Sequence, residues 1–375
     1  MSVTPPGLSI DLSALVANWR ALAELSAPAV TSAVVKADAY GLGVEPVAKA
    51  LHSAGCRHYF VATLDEARQL AHCLDSDIRC YVLGGAPLGL ERECASLGVT
   101  PVLCSLSAIR RWRAAGLAGR DCAVKIDTGM SRQGLGLAEL DDLLAAPALL
   151  RELNPSLVMS HLACADEPHH PQNSRQLAEF RAREAALRQV LPNCRLSLAN
   201  SCGIYLGKEY HFDLVRPGAA LYGFQPPQNE MAPAESIRPV LTLALPTLQF
   251  KRLEVDSSVG YGATYNKPQG AILAVCAGGY ADGVHNILQS QGVGELSGVE
   301  VPVAGRISMD ITTFDVTAVP NVEQWLDSVD SLPAIQIINR SLTLNRLTQE
   351  RHLLGYELLT TLRGSRCPRV YRGEV

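Results

Sequence analysis

Between about Ala33 and Gly223, short and nearly unbroken apolar runs alternate with stretches of helical periodicity. The runs are Ala33-Val34-Val35, Tyr59-Phe60-Val61, Cys80-Tyr81-Val82-Leu83, Pro101-Val102-Leu103, Ala123-Val124-Lys125-Ile126, Leu157-Val158-Met159 and Leu196-Ser197-Leu198. Strands buried on both faces carry such runs, because neither side of the pleat meets water. Between them, Val44, Val47, Ala48 and Leu51 fall at i, i+3, i+4 and i+7 with Gly55 as a stop, and Thr63-x-x-Glu66 has the spacing of a capping box. Leu177, Phe180, Leu187, Val190 and Leu191 mark a longer helix. Repeated strand-helix units of this number predict an α/β fold, a (β/α)8 TIM-type barrel, while periodicity alone leaves a doubly wound open sheet in contention.

After Pro226 and Pro227 the texture changes. Val240 to Phe250, Ala271 to Val275, Val299 to Val303 and Ile311 to Val316 are strand-like, with turn residues between them and few helical windows. The expected division is a barrel over residues 1–228 and a mainly β C-terminal domain over 229–375. The first ten or so residues are open to pairing with the β domain.

Composition narrows the function classes. The 375 residues are 47% hydrophobic and 19% charged, enough for a full core, and the net charge of −4 is spread without a polybasic face, so a nucleic-acid partner is not expected. The opening MSVTPPGLSIDLSALVANW has no basic region before an apolar run, and no apolar stretch reaches the roughly 20 residues that span a bilayer. A cytosolic protein without membrane contact is expected. Eleven cysteines lie scattered with no C-x-x-C pair, which suits buried thiols better than disulfides or a zinc ribbon. Asp166, Glu167, His169 and His170 superficially resemble a metal set, but adjacent histidines do not easily face one ion, so no metal is expected.

The segment with most chemical content is Val35-Lys36-Ala37-Asp38-Ala39-Tyr40-Gly41-Leu42-Gly43, which leaves the first barrel strand and is expected to enter a helix. Active sites of this architecture sit at the C-terminal ends of the strands, and a partly desolvated lysine there supplies the neutral amine that carbonyl chemistry needs. Taken alone, such a lysine equally suits an interfacial residue whose stem packs and whose head reaches water.

The context is more specific. The Lys36 segment resembles the cofactor-lysine signature of the alanine racemases, pyridoxal-phosphate enzymes of fold type III. Further family-like segments follow in order: Lys125-Ile126-Asp127-Thr128-Gly129-Met130-Ser131-Arg132, Ser160-His161, Asn200-Ser201, Val215-Arg216-Pro217-Gly218, Gly260-Tyr261-Gly262-Ala263-Thr264-Tyr265, Gly279-Tyr280-Ala281-Asp282-Gly283, Gly305-Arg306-Ile307-Ser308-Met309-Asp310 and Tyr356-Glu357-Leu358-Leu359-Thr360.

The resemblance implies a pyridoxal 5'-phosphate enzyme that interconverts L- and D-alanine with two bases on opposite faces of Cα. Lys36 would hold the cofactor and serve the face of the D isomer, and Tyr261 the face of the L isomer. A free tyrosine titrates near pH 10, so the family's base has neighbours that favour its phenolate, here matched by His161 linked to Arg216. Arg216 would bond the cofactor's ring nitrogen; a guanidinium does not give up a proton, so the ring stays unprotonated and a weaker electron sink. Tyr40, Ser201, Tyr356 and the amides of Gly218 and Ala219 would hold the phosphate, with Asn200 beside them. Arg132 and the Met309 amide would bind the substrate carboxylate, with Lys125, carbamylated in many members, pairing with Arg132.

The resemblance also implies a homodimer whose β domain completes its partner's site, with Arg306, Tyr280 and Asp310 as supporting parts and D-alanine as a peptidoglycan precursor. A bulky Tyr356 beside the Cα substituent favours alanine, although Leu353-Leu354-Gly355 departs from the family's lead-in and leaves serine or broader specificity open. A decarboxylase of the same fold type and a non-catalytic carrier of the cofactor are the other readings. Arg132, which would hold the carboxylate, disfavours the first, and the β domain disfavours the second.

Overall fold

The apolar runs of the first half form one sheet of seven parallel strands: Ala33–Val34, His58–Val61, Arg79–Val82, Thr100–Leu103, Ala123–Lys125, Leu157–Met159 and Arg195–Ser197. This is a computed structural model, and it describes residues 6–74, 77–225, 237–288, 292–328, 332–349, 355–362 and 366–373. An eighth strand, Leu214–Val215, pairs in parallel with Val30–Thr31, just before the first strand. It also meets the seventh strand's end, where the Asp213 N–H donates to the Leu196 carbonyl and the Arg216 N–H to the Ala199 carbonyl, both at 3.0 Å. The Ser32 and Val34 amides donate to Val215 and Pro217, so the ring closes as an eight-stranded parallel barrel and the open doubly wound sheet is excluded.

Side chains fill the ring. Val34, Phe60, Tyr81, Val102, Ala123, Leu157, Met159 and Leu214, drawn from seven strands, form a buried cluster, with the Phe60 and Tyr81 rings stacked at 4.4 Å. Alternate residues face the helices, as when the buried Tyr59 hydroxyl donates to the Ala48 carbonyl. Each strand is therefore apolar on both sides. The helix Val44–Ser53 buries Val44, Val47, Ala48 and Leu51, and Thr63 and Glu66 make the expected capping box at the start of Leu64–Cys73. Against expectation, the long helix Pro171–Val190 buries Asn173 and Gln176 beside Phe180 and Leu187. Those two amides read as surface residues in a periodicity scan, yet they face the strand ends.

By its internal packing the chain divides into two units, Ser13–Arg238, which holds the barrel, and Met1–Leu12 with Pro239–Glu374. In the second unit a six-stranded sheet runs in the order Val299–Pro302, Val293–Leu296, Ile335–Ile338, Leu241–Leu245, Gly7–Asp11, Arg369–Arg372. Gly7–Asp11 pairs antiparallel with Leu241–Leu245 and parallel with Arg369–Arg372. A second sheet joins Thr247–Arg252, Ile272–Ala277 and Ile311–Asp315, and a hairpin joins Ser257–Val259 to Tyr265–Lys267. The single run Val240–Phe250 thus belongs to two sheets, because Pro246 lacks the N–H that a continuous strand would use.

Candidate active site

Beyond the first barrel strand, Ala37, Asp38, Ala39 and Tyr40 all have φ between 52° and 57°. The segment enters a helix as expected, but by way of one left-handed turn, and the right-handed helix starts at Val44, after Gly43 at φ 96°. Periodicity cannot reveal handedness. Left-handed backbone costs a residue with a Cβ roughly 1–2 kcal/mol, so four in succession need anchors. Ala39 N–H donates to the Val35 carbonyl at 2.9 Å and Gly41 N–H to Ala37 at 2.8 Å. Side chains complete the hold: Ala37 N–H donates to Glu66 Oε1 at 2.7 Å, and Val44 N–H to Asp38 Oδ1 at 2.7 Å.

The turn presents the Lys36 amine at the barrel mouth. Burial first, then the Arg132 guanidinium, lower its pKa from the ordinary lysine value, and Glu66 opposes them. The neutral amine is thereby favoured.

Beside the turn, the residues following the seventh and eighth strands form a cluster of donors. Ser201 Oγ accepts the N–H groups of Gly218 and Ala220 at 2.9 and 3.2 Å, which leaves its own proton free to donate outward. The Ala219 amide has no hydrogen-bond partner among the described residues. Asn200 Oδ1 is taken by the Gly203 amide at 2.8 Å, so Asn200 shapes the turn that carries Ser201. The Tyr40 ring lies on Tyr222, 4.7 Å between centroids, and a Cβ on residue 218 would stand 2.6 Å from the Tyr40 hydroxyl oxygen. Glycine at 218 keeps that gap open.

Arg216, only 4% exposed, ends the eighth strand. Its guanidinium donates to Ser197 Oγ, to the Ser160 carbonyl, to Leu198 at 3.2 Å and to His161 Nδ1 at 3.4 Å. Its acceptors are all neutral. Burial pushes its pKa down to about 9, which still leaves a cation at neutral pH. The same burial, followed by the field of Arg216, holds the His161 pKa well below its usual value, so this imidazole is neutral and uses Nδ1 as acceptor.

Lys125, 8% exposed, ends the fifth strand. Burial lowers its pKa; Arg132 and Arg216 push the same way, and Cys104 opposes them. The loop that follows is wound around Asp127, whose carboxylate accepts the amides of Gly129, Met130, Ser131 and Arg132 at 2.8–3.2 Å. Burial would raise the Asp127 pKa, but these four donors outweigh it and hold the carboxyl below the usual range. The Arg132 backbone is thus fixed by a side chain five residues earlier.

Gln176 is a residue that sequence reasoning missed. Fully buried, it donates to the His161 carbonyl at 2.9 Å and to Thr128 Oγ1 at 3.2 Å, and accepts the Ala163 amide at 2.8 Å. Thr128 Oγ1 lies 2.8 Å from Ser160 Oγ. One helix side chain therefore joins the Arg132 loop to the His161 loop. Its buried position on a polar stretch of helix was the only available signal, and burial is not visible in sequence.

Tyr261 and Met309 belong to the β unit. Tyr261 lies at the tip of the Ser257–Lys267 hairpin between Gly260 at φ 74° and Gly262 at φ 75°, and it is 70% exposed. Met309 is 53% exposed; its carbonyl accepts the Ala281 amide, and its own N–H has no partner among the described residues. Gly279 must be glycine, because a Cβ there would stand 2.2 Å from the Ser308 carbonyl oxygen. Arg366 ties the two turns together through Asp282, at 2.8 Å, and Asp310. Tyr356 lies in the helix Gly355–Thr361, and its side chain is outside the described residues. Of the Asp166–His170 loop, His170 Nδ1 accepts the Gln172 amide and caps the long helix.

Lys36, Lys125, His161, Ser201, Arg216 and Gly218 all stand at or just past the C-terminal ends of barrel strands. The fold and this mouth define a TIM-type barrel protein with an amine and a cluster of hydrogen-bond donors where such barrels do their chemistry. Two family models divide the chain between them: the N-terminal domain of alanine racemase matches residues 10–226 and the C-terminal domain 240–371. The alanine racemase of Rhodospirillum rubrum is 44% identical, covering 98% of this chain and 96% of that protein. The catabolic alanine racemase of Agrobacterium fabrum is 41% identical over 97% and 91%. Among solved structures, alanine racemase from Bartonella henselae with covalently bound pyridoxal phosphate aligns with a TM-score of 0.89 at 35% identity, covering 98% of this chain and all of that one. The chain belongs to the alanine racemase family.

Proposed function

We propose that this protein interconverts L-alanine and D-alanine, with pyridoxal 5'-phosphate held covalently at Lys36. The observation that carries the reading is the left-handed turn that sets a lysine of lowered pKa at the mouth of the barrel, facing a built set of donors. Those residues fit the cofactor. Tyr40, the outward proton of Ser201, the Ala219 amide and the gap at Gly218 suit a phosphate dianion, and Lys36 supplies the amine for an aldehyde. When bound, the cofactor supplies an electron sink that acidifies the Cα–H bond of an attached amino acid.

Each residue then has a task. Arg216, buried and cationic, would donate a hydrogen bond to the cofactor's ring nitrogen while holding its own proton, and so leave that nitrogen unprotonated. Arg132 and the Met309 amide, which has no partner among the described residues, would bind the substrate carboxylate. Tyr261 Oη would take the Cα proton of L-alanine while Lys36 Nζ delivers one to the opposite face, and the reverse direction exchanges the roles. Neutral His161, held by Arg216, would stabilise the tyrosine in its basic form. The Lys125 amine, whose pKa burial lowers, is suited in its neutral form to add CO2 with loss of a proton, and the resulting carbamate would balance Arg132. Tyr356 would limit the side-chain pocket to a methyl group.

Tyr261 and Met309 would come from a second copy of the chain, making a homodimer with shared sites. The exposure of Tyr261, Tyr280, Met309 and Ile311 on the β unit supports a covered surface there. No described helix is long and apolar enough to cross a membrane, and a cytosolic role supplying D-alanine for peptidoglycan is the reading we adopt. The test is chiral analysis after incubation with pyridoxal phosphate and a panel of L-amino acids including serine. Alanine should racemise fastest and the Lys36→Ala protein should be inactive; no D-alanine from the wild type, or retained activity without Lys36, would refute the proposal.

A further inference from the structure

The capping-box glutamate does more than start a helix. Glu66 Oε2 accepts the amides of Ala62 and Thr63 at 2.6 and 3.3 Å, which is the usual work of that position. Its other oxygen, Oε1, crosses to a different strand end and accepts the Ala37 amide at 2.7 Å. Ala37 directly follows Lys36 and is the first left-handed residue of the turn. A helix cap needs only Oε2, so the bond to Ala37 is additional to it.

Chain geometry explains why the turn needs that bond. The amides of Ala39 and Gly41 are satisfied inside the segment, by Val35 and Ala37, and Asp38 reaches forward to Val44. The Ala37 amide points outward from the turn and has no carbonyl of its own segment. Without Glu66 it would be left to solvent, and the residue beside the amine could relax toward right-handed backbone, swinging Lys36 away from the donor set. A carboxylate gathering three amides from two strand ends also has little freedom to move, which makes it a firm anchor.

We infer that Glu66 is a positioning residue for Lys36, locking through the Ala37 amide the left-handed turn that aims the amine into the barrel mouth. The inference rests on the proposed use of Lys36, and it separates three functions of one side chain: helix cap, turn anchor and local charge. Thr63→Ala weakens the cap while leaving the Ala37 bond in place. Glu66→Gln removes the charge and keeps one acceptor oxygen, which can serve Ala37 or the Ala62 and Thr63 amides but not both. Glu66→Ala removes everything.

The experiment measures two quantities on the full chain. The first is hydrogen exchange of the Ala37 amide in protein labelled with 15N-alanine. The second is the rate at which pyridoxal phosphate becomes attached at Lys36, read by borohydride trapping and peptide mapping. Glu66→Ala should speed Ala37 exchange at least tenfold and slow attachment by about the same factor, Glu66→Gln should fall between Glu66→Ala and the wild type in both, and Thr63→Ala should change neither by more than twofold. If Glu66→Ala leaves Ala37 protection intact, or Thr63→Ala matches its losses, the inference is overturned. Should Glu66→Ala fail to fold, Glu66→Asp, which keeps the charge but is one methylene too short to cross from the cap to Ala37, takes its place: full Ala37 protection in Glu66→Asp would overturn the inference. A wild type that traps no label at Lys36 would defeat the proposed function, while Ala37 exchange would still report on the anchor.

Discussion

Replacing Gly218 with alanine would place a Cβ 2.6 Å from the Tyr40 hydroxyl oxygen and 3.3 Å from Val34 Cβ. Residue 218 has φ −130°, so the added methyl brings no left-handed strain and the effect is steric. An ordinary contact is near 3.4 Å, so the tyrosine oxygen must retreat by about 0.8 Å. The obstructing atom is the far end of a side chain that can swing, and the fold should survive with a cost of about 1 kcal/mol. What should be lost is the hydroxyl's place beside the anion. A hydrogen bond to a charged group contributes about 1.5–3 kcal/mol, which corresponds to a roughly ten- to hundredfold weaker affinity for pyridoxal phosphate. The assay is cofactor titration of stripped protein in four forms: wild type, Gly218→Ala, Tyr40→Phe and the double variant. With the hydroxyl gone the methyl has room, so Gly218→Ala should cost little in the Tyr40→Phe background. An equal penalty in both backgrounds would show that the clash does not act through Tyr40 and would refute this account.

Gln176→Leu should leave the His161 carbonyl and the Ala163 amide short of a partner, a loss of about 3 kcal/mol; a fall in Tm of roughly 6 °C is expected, and a fall within about 1 °C would discount the bridge. Asp127 has a folded pKa below its unfolded value, so its stabilisation of the Arg132 loop is complete above about pH 4 and is lost as pH falls through the lower, folded value. The protection factors of the Gly129–Arg132 amides, from which the intrinsic pH dependence of exchange is removed, should therefore fall below pH 4 in the wild type and be unchanged over that range in Asp127→Asn, whose KM for alanine should be raised roughly tenfold. Mixed dimers of Lys36→Ala and Tyr261→Ala subunits should recover part of the wild-type rate through sites that combine the intact residues, and proven heterodimers without activity would rule out shared sites.

Much of the barrel was legible because both faces of its strands are buried, and double burial writes itself into sequence as apolar runs. The exception was Leu214–Val215, two residues long, which owes its identity to the ring that it closes. In the β unit the run Val240–Phe250 announced strands, but the assignment of its halves to two sheets depended on Pro246 and on partners far along the chain. Strands such as Arg369–Arg372 and Ile335–Ile338 gave no comparable signal, since half-exposed positions and short lengths dilute the alternation.

The chemistry divides in the same way. Sequence by itself determined which side chains the molecule has to work with, and in what order: a lysine after the first strand, an arginine ahead of a Pro-Gly pair, and a tyrosine between glycines. Only the tertiary structure decided the left-handed sense of the Lys36 turn, the bond from Glu66 that crosses to it, the burial of Gln176 between two loops, and the neutral surroundings of Arg216. These depend on which backbone groups are left unpaired once distant strands meet, and a chain read one residue at a time carries no record of that.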